Sequence, residues 1–253
     1  MAMWDPWRGC HRHSEGCKYC YIHKGDAKRG VDTNLVVQTG KTSMPVERYQ
    51  KGPKKGEYKI QSGETVYLCF SSDFLIEEAD DWRAECWKIM KERQDLRFIF
   101  LTKRIERFAH CIPEDWGNGY DHVTVGCTVE NQAMSDYRLT IFDDLPIQHK
   151  NIICQPLIEP IDLEKHLPGV ELVVVGGESD VHARPLHYEW VLSLRQQCIK
   201  CGVPFQFRQC GTNFIKDGVL YQINVRQQGS QARRANLDTL SKSSFEPAND
   251  DAT

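Results

Sequence analysis

Three of the eleven cysteines stand apart from the rest. Cys10, Cys17 and Cys20 lie in the polar run CHRHSEGCKYC (10–20), where there is no apolar core for a thiol to fill. Their C-x6-C-x2-C spacing lets three thiolates converge on one inorganic centre. The two-residue gap brings one pair of sulfurs to the same side of a loop or helix start, and Gly16 lets the loop fold back tightly. Thiolates select soft or borderline metals, so the choice lies between Zn²⁺ and an iron–sulfur cluster. A structural zinc wants four ligands, and His11, His13 or His23 could supply the fourth. A cluster held by three cysteines keeps one iron open for a ligand or substrate. On the residues alone both stay open. Cys69, Cys127 and Cys154 sit in apolar runs, and Cys86 and Cys111 in helical stretches, so these five read as core. A second C-x2-C, Cys198 and Cys201, has helical spacing and apolar neighbours that favour burial, although with Cys210 it could hold a second metal.

A second polar set lies just past a series of short apolar runs. The runs are 2–4, 65–70, 97–101, 122–127, 151–155, 171–175 and 203–208, each apolar on consecutive positions, as in strands buried on both faces of a parallel sheet. Amphipathic helices are expected between them. In 80–93, Trp82, Cys86, Ile89 and Met90 share one face, and Arg83, Glu85, Lys88 and Lys91 the other. In 188–201, Val191, Leu194, Cys198 and Cys201 share a face. Repeated strand–helix–strand units predict an α/β fold with a parallel sheet, an incomplete (βα)6–7 barrel, with an open doubly wound sheet as the alternative. Barrel sites form at the carboxyl ends of the strands. The residues there are Ser71, Ser72 and Asp73; Thr102, Lys103 and Arg104; Thr128, Glu130 and Asn131; Gln155 and Glu159; Glu178 and Ser179; Arg208 and Gln209. Ser72, Asp73 and Thr102 could equally cap helices, and Lys103 and Arg104 could form surface pairs with Glu106 nearby. Glu178 follows two glycines, where backbone can approach a ligand, and Arg208 needs an anion if buried, with Glu159 or Glu178 available. His182 and Arg184 lie at the ligand mouth or in a plain loop.

The barrel is assigned to residues 1–225, with 31–63 as an excursion near its mouth and 226–253 as a polar tail. Of the 253 residues, 40% are apolar and 26% charged, which excludes a wholly disordered chain. No apolar run approaches the ~18 residues of a membrane span. The amino end lacks a secretory core, so a cytoplasmic location is expected. A net charge of −3 argues against a general nucleic-acid coat. A local basic surface from Lys51, Lys54, Lys55, Lys59, Lys103, Arg104, Arg107, Arg233 and Arg234, with Trp4, Trp7 and Tyr58 to stack bases, leaves a nucleic acid or nucleotide substrate as a hypothesis.

The chain resembles the radical S-adenosylmethionine superfamily, and more closely a phage-associated family of unknown function with a three-cysteine motif. The likeness is carried by WDPWRGC (4–10), GCKYCY (16–21), SSDF (71–74), LTKR (101–104), TVEN (128–131), VVVGGES (173–179) and FRQCG (207–211), in order over most of 1–215. Tyr19 matches the superfamily's aromatic before the third cysteine. The resemblance implies a partial barrel in which Cys10, Cys17 and Cys20 each bind one iron of a [4Fe–4S] cluster. S-adenosylmethionine would occupy the fourth iron and, on reduction by a flavodoxin- or ferredoxin-like electron donor, would give a 5′-deoxyadenosyl radical that abstracts hydrogen from substrate. The cofactor-binding set is placed at Tyr19, Ser71, Ser72, Asp73, Thr102, Lys103, Thr128 and Glu130, with Glu159, Glu178 and Arg208 as catalytic candidates. Two departures stand out: six residues separate the first two cysteines where three are usual, and Ser71, Ser72 and Asp73 replace the GGE after the second strand. The alternatives are a zinc-binding barrel protein, structural or hydrolytic, and a non-catalytic cluster protein that senses redox state or assembles with a methyltransferase-like partner.

Overall fold

The structure, a computed structural model, describes residues 1–239. Its strands are β1 (Ala2–Trp4), β2 (Trp7–Arg8), β3 (Val37–Gln38), β4 (Thr65–Leu68), β5 (Arg97–Thr102), β6 (Val123–Thr128), β7 (His149–Cys154), β8 (Val170–Gly176), β9 (Leu186–His187), β10 (Phe205–Gln209), β11 (Asn213–Lys216) and β12 (Val219–Gln222). The helices are α1 (Tyr21–Lys28), α2 (Asp80–Glu92), α3 (Phe108–Cys111), α4 (Gln132–Asp144), α5 (Tyr188–Cys201) and α6 (Val225–Arg234). All seven apolar runs become strands of one seven-stranded sheet, in the order β1-β4-β5-β6-β7-β8-β10. The pairs β1–β4, β4–β5, β7–β8 and β8–β10 run parallel. Consecutive buried residues in β5, β6, β7 and β8 are what a sheet covered on both faces requires.

Contacts divide the chain into two units. The first holds Met1–His11, Asp26–Gly126 and Leu145–His149; the second holds Arg12–Gly25, Cys127–Asp144 and, of the described residues, 150–239. The first is built on aromatic packing. Trp7 stacks on Phe74 at 5.5 Å between ring centroids, and Phe74 meets Phe100 at 4.8 Å. Trp4 and Trp7 are fully buried and therefore do not stack bases, contrary to the sequence expectation. Arg83, expected on the polar face of α2, is also buried. Its guanidinium donates to the carbonyls of Phe74 and Ile76 and pairs with Asp80, so its charge serves the loop ahead of the helix.

The excursion 31–63 is tied into this unit rather than loose. β3 pairs antiparallel with β2, and Arg93, only 1% exposed, donates to the carbonyls of Pro45 and Ile60 and to both oxygens of Asp95. The Tyr58 ring lies 3.6 Å from the Arg48 guanidinium and 3.8 Å from that of Arg93, so it too is taken.

In the second unit, Asn131 and Glu159 cap α4: Asn131 Oδ1 accepts from the Met134 amide and Glu159 Oε1 from the Gln132 amide. α5 ends at Gly202 in the left-handed conformation that a helix terminator favours. β11 and β12 form a hairpin across Asp217-Gly218, both at positive φ. The expectation of a tail from 226 is corrected as far as 239. α6 packs on β10, with Gln228 and Ala232 buried, and Leu237 is buried beyond it. Asp238 Oδ1 accepts the Phe207 amide and Thr239 Oγ1 the Phe205 amide, which completes the hydrogen bonding of β10. The remainder of the expected tail, 240–253, lies outside the described residues.

Candidate metal centre and the polar strand ends

In the first unit Cys10 is fixed from both sides. Gly9 has φ +93°, and a Cβ there would stand 2.5 Å from the Leu35 carbonyl oxygen, so only glycine fits. The Cys10 amide then donates to the Thr33 carbonyl at 2.8 Å. Thr33 is in turn held by Asp26, at 3.0 Å. On the side-chain side, Arg104 Nη1 lies 3.7 Å from Cys10 Sγ and Nη2 donates to the His11 carbonyl at 3.1 Å. The sequence leaves Arg104 between a strand-end site group and a surface pair; it is 4% exposed, which removes the surface pair. Burial opposes its charge, but Asp73 and the Cys10 thiol outweigh that and move its pKa up. A guanidinium held against a sulfur favours the thiolate that a metal requires.

Asp73 organises this corner. Its Oδ1 accepts from Leu75 N at 3.0 Å and Thr102 Oγ1 at 2.8 Å, and its Oδ2 from Lys103 N at 3.1 Å and Arg104 Nη1 at 3.4 Å. Four donors occupy the roughly four lone-pair positions of a carboxylate, so Asp73 has little left for a ligand ammonium. Thr102 Oγ1 also accepts the Arg104 amide. Ser72 Oγ donates to the Gly9 carbonyl, and the Ser71 amide donates to Asp5 Oδ1 at 3.0 Å. Ser72, Asp73 and Thr102 thus act as turn and positioning groups, while the side chains of Ser71 and Lys103 are part-exposed.

In the second unit, a short turn carries Cys17 and Cys20. The Cys17 amide donates to the Ser14 carbonyl at 2.9 Å and the Cys20 amide to the Cys17 carbonyl at 3.3 Å. Gly16 sits on Glu130: its amide donates to Oε1 at 3.2 Å, and a Cβ would come within 3.0 Å of the Glu130 carboxyl carbon. Glu130 is fully buried and paired with the equally buried Arg138 at 2.8 Å, which also donates to the Thr128 carbonyl. Thr128 and Glu130 therefore support the cysteine turn from beneath. Sequence reading missed Arg138, whose charge hides among the polar residues of α4; only burial marks it.

The remaining strand-end candidates divide. Glu178 is buried, and both its oxygens are engaged by Arg184. The glycines before it are packed against protein on the side a Cβ would occupy. A Cβ on Gly177 would stand 2.8 Å from the Cys210 carbonyl oxygen. Arg208 is exposed and needs no buried anion, because β10 turns Gln206 inward and not Arg208. Glu159 is spent on the cap of α4. Of the basic surface, Arg107 pairs with Asp80 and Lys59 with Glu47, while Lys51, Lys54, Lys55, Arg233 and Arg234 are exposed.

None of the eleven cysteines is in a disulfide. Seven are buried: Cys69, Cys86, Cys111, Cys127, Cys154, Cys198 and Cys210. Burial pushes the thiols of Cys86, Cys198 and Cys210 up to about 12 and moves Cys69, Cys111 and Cys154 upward too. Cys201 is exposed, against the sequence expectation, because it closes the last turn of α5 beyond the buried Cys198. Cys10, Cys17 and Cys20 are half-buried. Among the described residues, no three His, Cys, Asp or Glu side chains stand together as a ready-made metal-ion site. Cys10, Cys17 and Cys20 each have the soft donor chemistry and the access that a metal ligand needs. Among the described residues no helix is long and apolar enough to cross a membrane.

Comparison with curated proteins and with solved structures returned no match. One family model matches residues 1–244, and the chain belongs to that family, DUF5131, described as proteins of unknown function.

Proposed function

We propose that the chain is a radical S-adenosylmethionine enzyme whose [4Fe–4S] cluster is held by Cys10, Cys17 and Cys20, and whose seven-stranded sheet is an incomplete barrel. The observation that carries this reading is the sorting of the thiols. Seven are sealed in the core, and the three that share one short polar segment are reachable, with Arg104 beside the Cys10 sulfur. When bound, such a cluster with S-adenosylmethionine supplies one-electron cleavage of the sulfonium and hence hydrogen-atom abstraction.

The chain's own residues would divide the remaining work. Arg104 offsets thiolate charge at Cys10 and donates toward its sulfur, the kind of contact that tunes a cluster. Asp73 and Thr102 hold Arg104 and the 102–104 turn in place. Glu130, backed by Arg138, fixes the Gly16 amide and so the start of the Cys17–Cys20 turn. With Asp73 filled by protein donors, Ser71 and Lys103 are the side chains of that corner left to meet the cofactor. Electrons would come from a flavodoxin- or ferredoxin-like donor.

Anaerobic reconstitution with iron and sulfide, followed by dithionite and S-adenosylmethionine, tests the reading. About four iron and four sulfide per chain and release of 5′-deoxyadenosine are expected. Cys17→Ala should lose the cluster and Cys111→Ala keep it. Stoichiometric zinc after anaerobic purification, or equal iron in wild type and Cys17→Ala, would overturn the proposal.

A further inference from the structure

The loop that follows β8 is lashed to the segment bearing Cys17, Tyr19 and Cys20. Glu178, 6% exposed, takes the Arg184 backbone amide on Oε2 at 2.8 Å and Arg184 Nε on the same oxygen at 3.2 Å, while Nη2 reaches Oε1. A guanidinium gripped in this way has lost most of its rotamer freedom before it meets anything else. Its Nη2 also donates to the Glu15 carbonyl at 2.8 Å, an oxygen that already accepts the Lys18 amide within the turn. Its Cζ lies 5.6 Å from the centre of the Tyr19 ring. A second tie joins Lys24 to Asp180 at 2.9 Å. The strap itself is anchored: Asn213 Nδ2 donates to the Ala183 carbonyl at 2.7 Å, and Gly177 is wedged against the backbone of Cys210 and Gly211.

We propose that Arg184, locked by Glu178, is a positioning residue that fixes the Cys17–Cys20 turn in the geometry needed to hold the cluster. The proposal rests on the reading that these cysteines are cluster ligands. Glu178 neutralises Arg184, and Glu15 Oε2 lies 3.8 Å from Nη1, so Arg184 brings no net positive charge to the turn and acts through geometry, at the Glu15 carbonyl and the Tyr19 ring. Glu178 is thereby assigned a role away from the reacting atoms.

The test uses the full chain as wild type, Arg184→Ala, Arg184→Lys and Glu178→Gln. Amide hydrogen exchange on the cluster-free protein should rise about tenfold or more in residues 12–25 of Arg184→Ala, with the β7 and β8 amides unchanged. After reconstitution, Arg184→Ala should release iron to a chelator about tenfold faster than wild type and broaden the reduced-cluster electron paramagnetic resonance signal, changes that a general loss of stability would not produce alone. Arg184→Lys keeps a positive charge beside Glu178 but replaces the two-nitrogen fork with a single ammonium, and should fall between the two. If Arg184→Ala does not fold, Glu178→Gln, which keeps an acceptor but not the charge, carries the same comparison with smaller changes. Wild-type exchange in 12–25 together with wild-type iron release in the folded variants would overturn the strap. Faster exchange in a chain whose wild type never takes up iron would keep the strap and overturn the cluster reading instead.

Discussion

The buried Glu130–Arg138 pair allows a test in which the competing terms have different signs. Both side chains are essentially inaccessible, and they meet at 2.8 Å. Glu130 also receives the Gly16 amide, and Arg138 donates to the Thr128 carbonyl. Against this, Nε and Nη2 of Arg138 are buried with no hydrogen-bond partner. Each unpaired donor costs about 1–3 kcal/mol, enough to cancel much of the pair's attraction. Removing only the arginine, in Arg138→Met, strands a carboxylate in the core and should cost about 3–5 kcal/mol. Removing both charges, in Glu130→Gln/Arg138→Met, eliminates the stranded charge and the orphaned donors together. The glutamine keeps an oxygen for the Gly16 amide, and the Thr128 carbonyl is released to accept its NH₂. The double variant should therefore stay within about 1–2 kcal/mol of wild type, so that even with a costless Glu130→Gln single change the coupling in the cycle is at least about 1 kcal/mol. Urea unfolding followed by tryptophan fluorescence measures this. With an m-value near 3 kcal/mol/M, the single variant's midpoint should fall by about 1–1.7 M. A single variant as stable as wild type, or a double variant that simply adds the two single losses, refutes the reasoning.

Two further outcomes follow from burial. With thiols pushed up to about 12, Cys86, Cys198 and Cys210 carry about one thiolate in ten thousand at pH 8, so their alkylation by iodoacetamide should lag far behind. Peptide mapping of the native protein should find Cys10, Cys17, Cys20 and Cys201 modified first, and cluster loading should protect the first three but not Cys201; early labelling of Cys198 or Cys210 would contradict the core assignment. Truncation after Asn224 removes α6, the buried Leu237 and the acceptors of the Phe205 and Phe207 amides. It should lower the urea midpoint or abolish soluble protein, and an unchanged midpoint would show that 225–239 is dispensable to β10.

Much of the scaffold can be read from the chain because its signals are local. Runs such as ELVVV and RFIFL are apolar at consecutive positions, short, and rich in β-branched and aromatic residues, the pattern of a strand covered on both faces, and β8 and β5 fall where the runs stand. The split between Cys17 and Cys198 is likewise visible, since one has polar neighbours and the other lies on an apolar helical face. Side-chain fates at the strand ends are not local. Asp73, Glu178 and Arg208 look alike in sequence as polar residues after apolar runs. Asp73 is filled by four donors, three of them from the 102–104 turn. Glu178 is closed by an arginine six residues on, and Arg208 faces outward.

What the sequence determined by itself, then, is the order of strands and helices and the chemistry of one cysteine-bearing segment, because periodicity and ligand spacing are properties of neighbours along the chain. Tertiary structure alone decided which polar groups support that segment. Whether a carboxylate is open to a ligand or saturated depends on donors that arrive from distant positions, as Gly16 and Glu130 do across 114 residues. Burial then attaches a cost to every such group that finds no partner, as at Arg138.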